Sequence, residues 1–190
     1  SVGVIETSTD KINNGYFTVG VQDNQASGYQ SFAEDSSAQT LTITLDEFLN
    51  EASVPDDSAF TLEIAGSARN VTSVDIDGKD VILGYDGEAL TSTDTLSVAY
   101  NTPSSGLRLE DEAGNDAADF NIITGAAGGD TLTGNAGEID AFVYTDVADG
   151  SDTINDFSMA DGDILDLASL LDYAEGDELS NYLTVTDGGN

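Results

Sequence analysis

The chain has 190 residues, of which 39% are hydrophobic, so it can bury the core of one ordinary domain or of two small ones. Its charge balance is extreme, because 37 Asp and Glu residues face four Lys and Arg residues and leave a formal net charge of −33. Self-repulsion on that scale destabilises a compact state, so we expect cations among the carboxylates. The shortage of basic residues argues against nucleic acid as a partner, and no segment is long and apolar enough for membrane insertion.

The residue types that are missing exclude several kinds of site. The chain has no Cys, no His and no Trp, whereas zinc sites, disulfides and imidazole-based catalysis need Cys or His. Neither H-E-x-x-H nor G-x-S-x-G occurs in the sequence, so we predict that the protein is not an enzyme. Oxygen ligands remain in abundance, and flexible carboxylate and carbonyl sites favour calcium.

Short runs with a period of two fill the first part of the chain and predict β-strands. These runs are residues 17–21, 41–45, 60–64, 71–76, 81–85 and 96–100. Asp77-Gly78 lies between two of them and predicts a tight hairpin. Several antiparallel strands at this spacing indicate an all-β protein built on an immunoglobulin-like β-sandwich.

Two segments interrupt this alternation. Residues 22–39 are polar and lack a clear period, so we predict a long loop that Tyr29 and Phe32 keep ordered. Residues 46–52 are predicted to form one or two helical turns at the edge of the sandwich. Further strands are predicted at residues 140–144 and 163–167, followed by short helical turns at 167–173 and 176–182.

Glycine becomes dense after about residue 120, and two consecutive units, 125–133 and 134–143, resemble the RTX nonapeptide G-G-x-G-x-D-x-U-x. In that pattern the glycine-rich half turns tightly and the Asp binds Ca²⁺, which makes Asp130 and Asp140 the expected ligands. The second unit carries one extra residue, which excludes a long β-roll and leaves one or two calcium ions in this stretch. The alternative is a pair of ordinary Gly-rich turns.

The motifs that follow extend this resemblance in a fixed order. Residues 142–144, 149–157, 161–167 and 181–190 follow the RTX-like units, and together they resemble the C-terminal target region of proteins exported by type I secretion. The resemblance covers the chain from residue 125 onward. This resemblance implies further calcium ligands, namely Asp152, Asp156, Asp161, Asp163 and Asp166.

The middle of the chain, residues 40–120, resembles a bacterial immunoglobulin-like repeat of large surface proteins, in which a strand is followed by D-x-A-G-N-D. Asp111, Asn115, Asp116 and Asp119 bring oxygen atoms into one turn, which suits calcium at a domain end. A solvated acidic loop explains the same residues equally well.

Two domain organisations remain open. In the first, an immunoglobulin-like β-sandwich at residues 1–120 precedes an RTX and type I secretion target-like region at residues 121–190. In the second, residues 2–21 complete the C-terminal region, so that residues 1–190 form one intertwined domain. Both are calcium-stabilised β-sandwiches with an RTX-like Gly- and Asp-rich turn region and few short helical turns.

The resemblance to RTX adhesins implies a calcium-dependent ligand-binding module on the bacterial cell surface. Such a module would bind several Ca²⁺ ions, and it would bind a peptide or glycan on a host or neighbouring cell. Its role would be in cell adhesion or biofilm formation. It would act as a monomer joined to flanking domains of the same adhesin. The alternative is a calcium-rigidified spacer or secretion-folding module with no ligand of its own, because metal that binds only the native state couples folding to calcium.

Overall fold

A computed structural model describes residues 23–171 and residue 178, and these residues confirm the all-β fold class. The strands are β1 (Tyr29–Asp35), β2 (Thr40–Leu45), β3 (Phe60–Ile64), β4 (Ser67–Arg69), β5 (Val71–Asp77), β6 (Asp80–Tyr85), β7 (Leu96–Tyr100), β8 (Phe120–Thr124), β9 (Thr131–Thr133), β10 (Ile139–Val143), β11 (Thr153–Asn155) and β12 (Ile164–Asp166). Single 3-10 turns lie at Asp57–Ala59 and Val147–Asp149. None of the helical segments in the described part of the chain has the length and apolar character to cross a membrane.

Two sheets pack face to face over the main core. One is an antiparallel sheet in the order β1-β2-β6-β5, and the other has the order β12-β10-β8-β7-β3-β4. Strands β2 and β7 bury alternate residues, as their period of two predicts, and the core includes Leu41, Val81, Val98 and Ile122, each fully buried. The sandwich is therefore built by the alternating runs of the sequence.

The hairpin at Asp77-Gly78 is confirmed. Strands β5 and β6 pair antiparallel with Asp77 opposite Asp80, and Gly78 takes a φ of +64°, which favours glycine.

The predicted strand at residues 17–21 lies outside the described residues. So does the part of the predicted turn at residues 167–173 that follows Leu171, whereas Leu171 itself donates a backbone hydrogen bond to the carbonyl of Leu167.

Two local predictions were wrong. Residues 22–39 are not one loop, because they contain β1, which pairs along β2 and buries Phe32 in the core. The strand lies at the sheet edge and its register shifts between Tyr29 and Ser31, so few of its side chains are buried and the period of two is weak. Residues 46–52 form turns instead of a helix, and Leu49 bridges to Asp111 there.

The strand arrangement changes after β7. Strands β8, β10 and β12 run parallel within the six-stranded sheet, and β9 and β11 form a separate parallel pair. Consecutive strands thus alternate between two sheets, an arrangement that we call the roll. Its interior contains Ile123, Leu132 and Phe142, packed against Tyr144 and Ile154.

Strand β8 belongs to the sandwich and to the roll at once. It pairs antiparallel with β7 on one side and parallel with β10 on the other, so the six-stranded sheet continues across residue 120. A second link joins the first and last described strands, because the Tyr29 hydroxyl donates to Oδ2 of Asp166 over 2.7 Å. The pKa of the Tyr29 hydroxyl is raised, mainly by burial and next by this hydrogen bond. The roll is therefore anchored to both sheets of the sandwich.

Candidate metal centres

Three carboxylates meet at one end of the sandwich. Asp23 precedes β1, Glu47 follows β2, and Asp111 lies in the turn before β8; one oxygen of each lies within 4.8 Å of the others. We call these three residues the end cluster. Within residues 23–171 and 178, it is the one set of three acidic groups that approach one another this closely.

Backbone pairing between distant segments brings Glu47 and Asp111 of the end cluster together. The amide of Asn50 donates to the carbonyl of Glu110, and the amide of Glu112 donates to the carbonyl of Phe48. These bonds hold the segment after β2 against the segment that contains Asp111. Asp111 is only 2% exposed, so its carboxylate lies at the base of the cluster.

The carboxylates of the end cluster have different electrostatic environments. Burial raises the pKa of Glu47, and the neighbouring charges of Asp23, Asp46 and Asp111 raise it further. Oε2 of Glu47 is buried and has no hydrogen-bond partner in the described part of the chain. For Asp111, burial acts in the same direction, but hydrogen bonds led by those from Asn115 outweigh it and lower the pKa. A cation would satisfy the unpaired oxygen and relieve the repulsion.

An open cleft of about 520 Å³ adjoins the end cluster. Asp46, Phe48, Lys79, Glu112 and Ala113 line it together with the three carboxylates. The Phe48 ring is 59% exposed, and the Lys79 ammonium lies 5.5 Å from its centroid. The cleft therefore combines an aromatic surface and one positive charge with the end cluster.

The residues predicted around Asp111 have separate partners. Asn115 supports Asp111 by donating its backbone amide over 2.8 Å and its side-chain amide over 2.7 Å. Asp116 forms an ion pair with Arg108, and Asp119 accepts hydrogen bonds from the amide and hydroxyl of Thr102. Of the four predicted residues, only Asp111 lies in the end cluster.

Asp23 and Glu47 were not among the predicted ligands. Both lie far from Asp111 along the chain and carry no local motif, and Glu47 fell within a predicted helical turn. Pairing of the segment after β2 with the segment around Asp111 brings Glu47 to the cluster, and the side-chain amide of Asn115 donates to the carbonyl of Asp23 over 3.4 Å. No spacing in the sequence encodes these contacts.

The roll brings the predicted aspartates together in pairs. At one set of turns, the Asp130 amide donates to Oδ1 of Asp152 over 2.8 Å, and Oδ2 of Asp130 accepts from the amide of Ala126 over 2.8 Å. A Cβ atom at Gly125 would lie 3.0 Å from Oδ2 of Asp152 and 3.4 Å from Oδ2 of Asp130. Both carboxylates therefore border the same small space, and Oδ2 of Asp152 is buried without a hydrogen-bond partner among the described residues.

Further acidic oxygens surround this first pair. Burial raises the pKa of Tyr144 to about 12, with contributions from Asp152, Asp149 and Asp130 in that order. Asp149 is 8% exposed and accepts hydrogen bonds from the amides of Thr145 and Asp146. Asp149 was not among the predicted ligands, although this residue opens one of the motifs that carry the resemblance.

The second pair lies at the opposite turns. The Asp140 amide donates to Oδ1 of Asp163 over 3.0 Å, and Asp140 itself is fully buried. Its carboxylate accepts from the amide of Asn135 over 2.8 Å and from the side chain of Asn121 over 3.1 Å. Burial nevertheless raises its pKa. A Cβ atom at Gly134 would overlap this carboxylate, so glycine is required there.

Three other predicted ligands lie apart from these pairs. Asp156 and Asp161 are exposed, and the carboxylate of Asp166 accepts a hydrogen bond from the hydroxyl of Tyr29. The structure therefore joins Asp130 with Asp152 and Asp140 with Asp163. Each pair unites two successive turns on the same side of the roll.

No family model, curated protein sequence or solved structure matches the chain. The features that bear on function are therefore the end cluster, the cleft beside it and the two aspartate pairs of the roll.

Proposed function

We propose that the protein is an extracellular, calcium-dependent ligand-binding module of a bacterial RTX-type adhesin, and that its ligand is a peptide or glycan. The end cluster beside the open cleft carries this proposal. Calcium takes six to eight oxygen ligands, whereas Asp23, Glu47 and Asp111 offer three carboxylates. A calcium ion held there would keep coordination positions on the side of the cleft.

The chemistry of the cleft indicates how a ligand would be held. A ligand carboxylate or a pair of vicinal hydroxyls would complete the calcium coordination, while the exposed face of Phe48 would contact an apolar part of the ligand. Calcium and Lys79 would also reverse the local sign of a surface that otherwise repels anions, since the chain has a net charge of −33.

The two aspartate pairs of the roll support a structural role for additional calcium. Asp130 with Asp152, and Asp140 with Asp163, provide oxygen ligands within glycine-rich turns, which suits calcium. Ions that bind only the folded chain would couple folding to the calcium concentration outside the cell. Secretion in an unfolded form followed by folding in calcium-rich surroundings fits this arrangement.

A calcium-rigidified spacer without a ligand is the second candidate, and the burial of the roll pairs favours it. Asp140 is fully buried and Oδ2 of Asp152 is enclosed, so calcium at these turns would be shielded from an external ligand. In that case the cleft beside the end cluster would contact a flanking domain of the same adhesin. The two candidates differ in whether the cleft captures a free ligand.

A binding screen with matched variants separates the candidates. Peptide and glycan libraries are presented to the folded protein in calcium and again in EDTA, together with Glu47→Gln, Phe48→Ala and Glu34→Gln. We expect capture in calcium, its loss in EDTA, and its loss in the first two variants. Phe48→Ala should keep the calcium-dependent rise in melting temperature, because its side chain supplies no oxygen ligand. Glu34 is exposed on β1, so Glu34→Gln should behave as the unaltered protein.

Two outcomes count against the proposal. If no ligand is captured while calcium still raises the melting temperature sharply, the spacer is the correct interpretation. If EDTA leaves the melting temperature unchanged, the protein does not depend on calcium and both candidates fail.

A further inference from the structure

A second cleft of about 520 Å³ adjoins the cleft beside the end cluster. The two clefts share Phe48 and Glu112, so they meet at the Phe48 ring. Leu49, Glu51 and Gly78 also line the second cleft. A ligand bound in the first cleft can therefore extend past this ring into the second.

Hydrogen bonds fix the walls of the second cleft. The amide of Leu49 donates to the carbonyl of Gly78 over 2.8 Å, and the amide of Glu112 donates to the carbonyl of Phe48 over 3.1 Å. The Gly78 amide donates in turn to Oε1 of Glu51 over 3.2 Å. These bonds join the turn after β2, the hairpin between β5 and β6, and the turn that contains Glu112. The second cleft is therefore largely pre-formed, as ligand sites usually are.

The second cleft differs from the first in charge. The first contains the Lys79 ammonium and would contain calcium, whereas the described lining of the second has the carboxylates of Glu51 and Glu112 and no basic residue. Both carboxylates are exposed. One oxygen of Glu51 accepts from the Gly78 amide, which orients the carboxylate, and the other oxygen can accept from a ligand.

The Phe48 ring already lies near one cation. Nζ of Lys79 is 5.5 Å from the ring centroid, within the range of a cation–π contact, and the ring is still 59% exposed. An aromatic ring beside carboxylates suits an ammonium or guanidinium group, which interacts with the ring and forms charge-assisted hydrogen bonds with the carboxylates. Neutral sugars carry no such group, and the carboxylates repel anionic sugars.

We propose that the second cleft binds a basic side chain, and that the ligand is a peptide in which Lys or Arg lies within two residues of an acidic residue. The acidic group would complete the calcium coordination in the first cleft, so this inference rests on the proposed function. Contacting carbon atoms lie about 3.5–4.0 Å apart, so groups on either side of an aromatic ring are about 7 Å apart, which two extended residues span.

A peptide library of fixed design tests this inference. Pentapeptides with acetylated and amidated ends carry a central Asp, which supplies the carboxylate for calcium, and random residues at the other four positions. They are presented to the whole protein in calcium at about 0.15 M salt, where long-range attraction by the net charge of −33 is largely screened. We expect the captured peptides to be enriched about 3- to 10-fold in Lys and Arg, as one or two exposed ion pairs allow.

Three variants make the test specific to the second cleft. Glu51→Gln keeps an acceptor oxygen for the Gly78 amide but removes the charge, so the enrichment should fall about twofold or more. Glu51→Lys should abolish the enrichment, because the new ammonium repels a basic side chain. Glu34→Gln removes the same charge from β1 and should leave the enrichment unchanged. All three should keep the calcium-dependent rise in melting temperature, which shows that they fold.

The outcomes distinguish a failure of this inference from a failure of the proposed function. Calcium-dependent capture of pentapeptides without enrichment in Lys or Arg, or enrichment that persists in Glu51→Lys, would overturn the inference and leave the calcium-dependent module unaffected. Capture of glycans alone would have the same meaning. If neither peptides nor glycans are captured, the proposed function fails, and the peptide ligand fails with it.

Discussion

Replacing Gly134 by alanine tests whether the turn around Asp140 is as tight as the structure indicates. The added Cβ atom would lie 2.8 Å from Cγ of Asp140, closer still to its Oδ2, and 3.2 Å from Cζ of Phe142. The carboxylate would have to move, and it would give up the hydrogen bond from the Asn135 amide, which is 2.8 Å long. Overpacking costs about 1–3 kcal/mol, and loss of a hydrogen bond to a charged group costs about 1.5–3 kcal/mol.

The two effects overlap, so we expect a loss of about 3 kcal/mol in the free energy of unfolding, or roughly 6–12 °C in melting temperature for a chain of this size. Thermal unfolding followed by circular dichroism measures it. Gly28→Ala is the control, since its Cβ atom would meet nothing closer than 3.6 Å. If Gly134→Ala melts within about 2 °C of Gly28→Ala, the close approach of backbone and carboxylate is incorrect.

Three further predictions concern the carboxylates. Asp140→Asn should raise the melting temperature in EDTA, because the substitution removes a fully buried charge. In calcium the same substitution should lower the melting temperature, because it removes a ligand. A change of the same sign in both conditions would contradict calcium binding at this turn. Tyr29→Phe should cost about 1–3 kcal/mol in chemical unfolding, since the hydroxyl that it removes donates to Asp166. The pKa values of the Glu47 and Asp140 carboxyl groups are raised in the folded protein. Their contribution to the stability of the calcium-free protein is therefore present at pH values below the pKa that these groups have in the unfolded chain. It is lost as the pH rises through their pKa in the folded protein. We therefore expect calcium binding to release protons at pH values just above the ordinary pKa range of carboxyl groups. Titration calorimetry in buffers of different ionisation enthalpy detects this release.

The fold was predictable where hydrophobic alternation is strong. Strands β2, β3, β6 and β7 each bury one face, so the period of two in the sequence marks them. Strand β1 was not recognised, because Phe32 is its one buried side chain and the strand lies at an edge. The parallel pairing of the roll was also not predicted, since periodicity reports which residues face a core but not which strands lie side by side.

The candidate sites show the same division between local and non-local information. Asp130 and Asp140 could be singled out from the sequence because the turn and its carboxylate lie within one short motif. Their partners Asp152 and Asp163 were named, but their pairing depends on successive turns stacking on the same side of the roll. Asp23 and Glu47 carry no local signal, because the end cluster forms only when distant segments pair.

A chain of two hydrogen bonds connects the roll turns to the sandwich. The Ser97 hydroxyl on β7 donates to Oδ1 of Asn121 over 3.1 Å, and Nδ2 of Asn121, on the shared strand β8, donates to Asp140 over 3.1 Å. Movement of the Asp140 carboxylate would therefore deprive the buried side-chain amide of Asn121 of this partner, within the six-stranded sheet. Calcium bound at this turn would fix the position of that carboxylate and, through Asn121, the packing of the sandwich sheet. The roll and the sandwich should consequently unfold in one transition, because neither can lose β8 without exposing the core of the other.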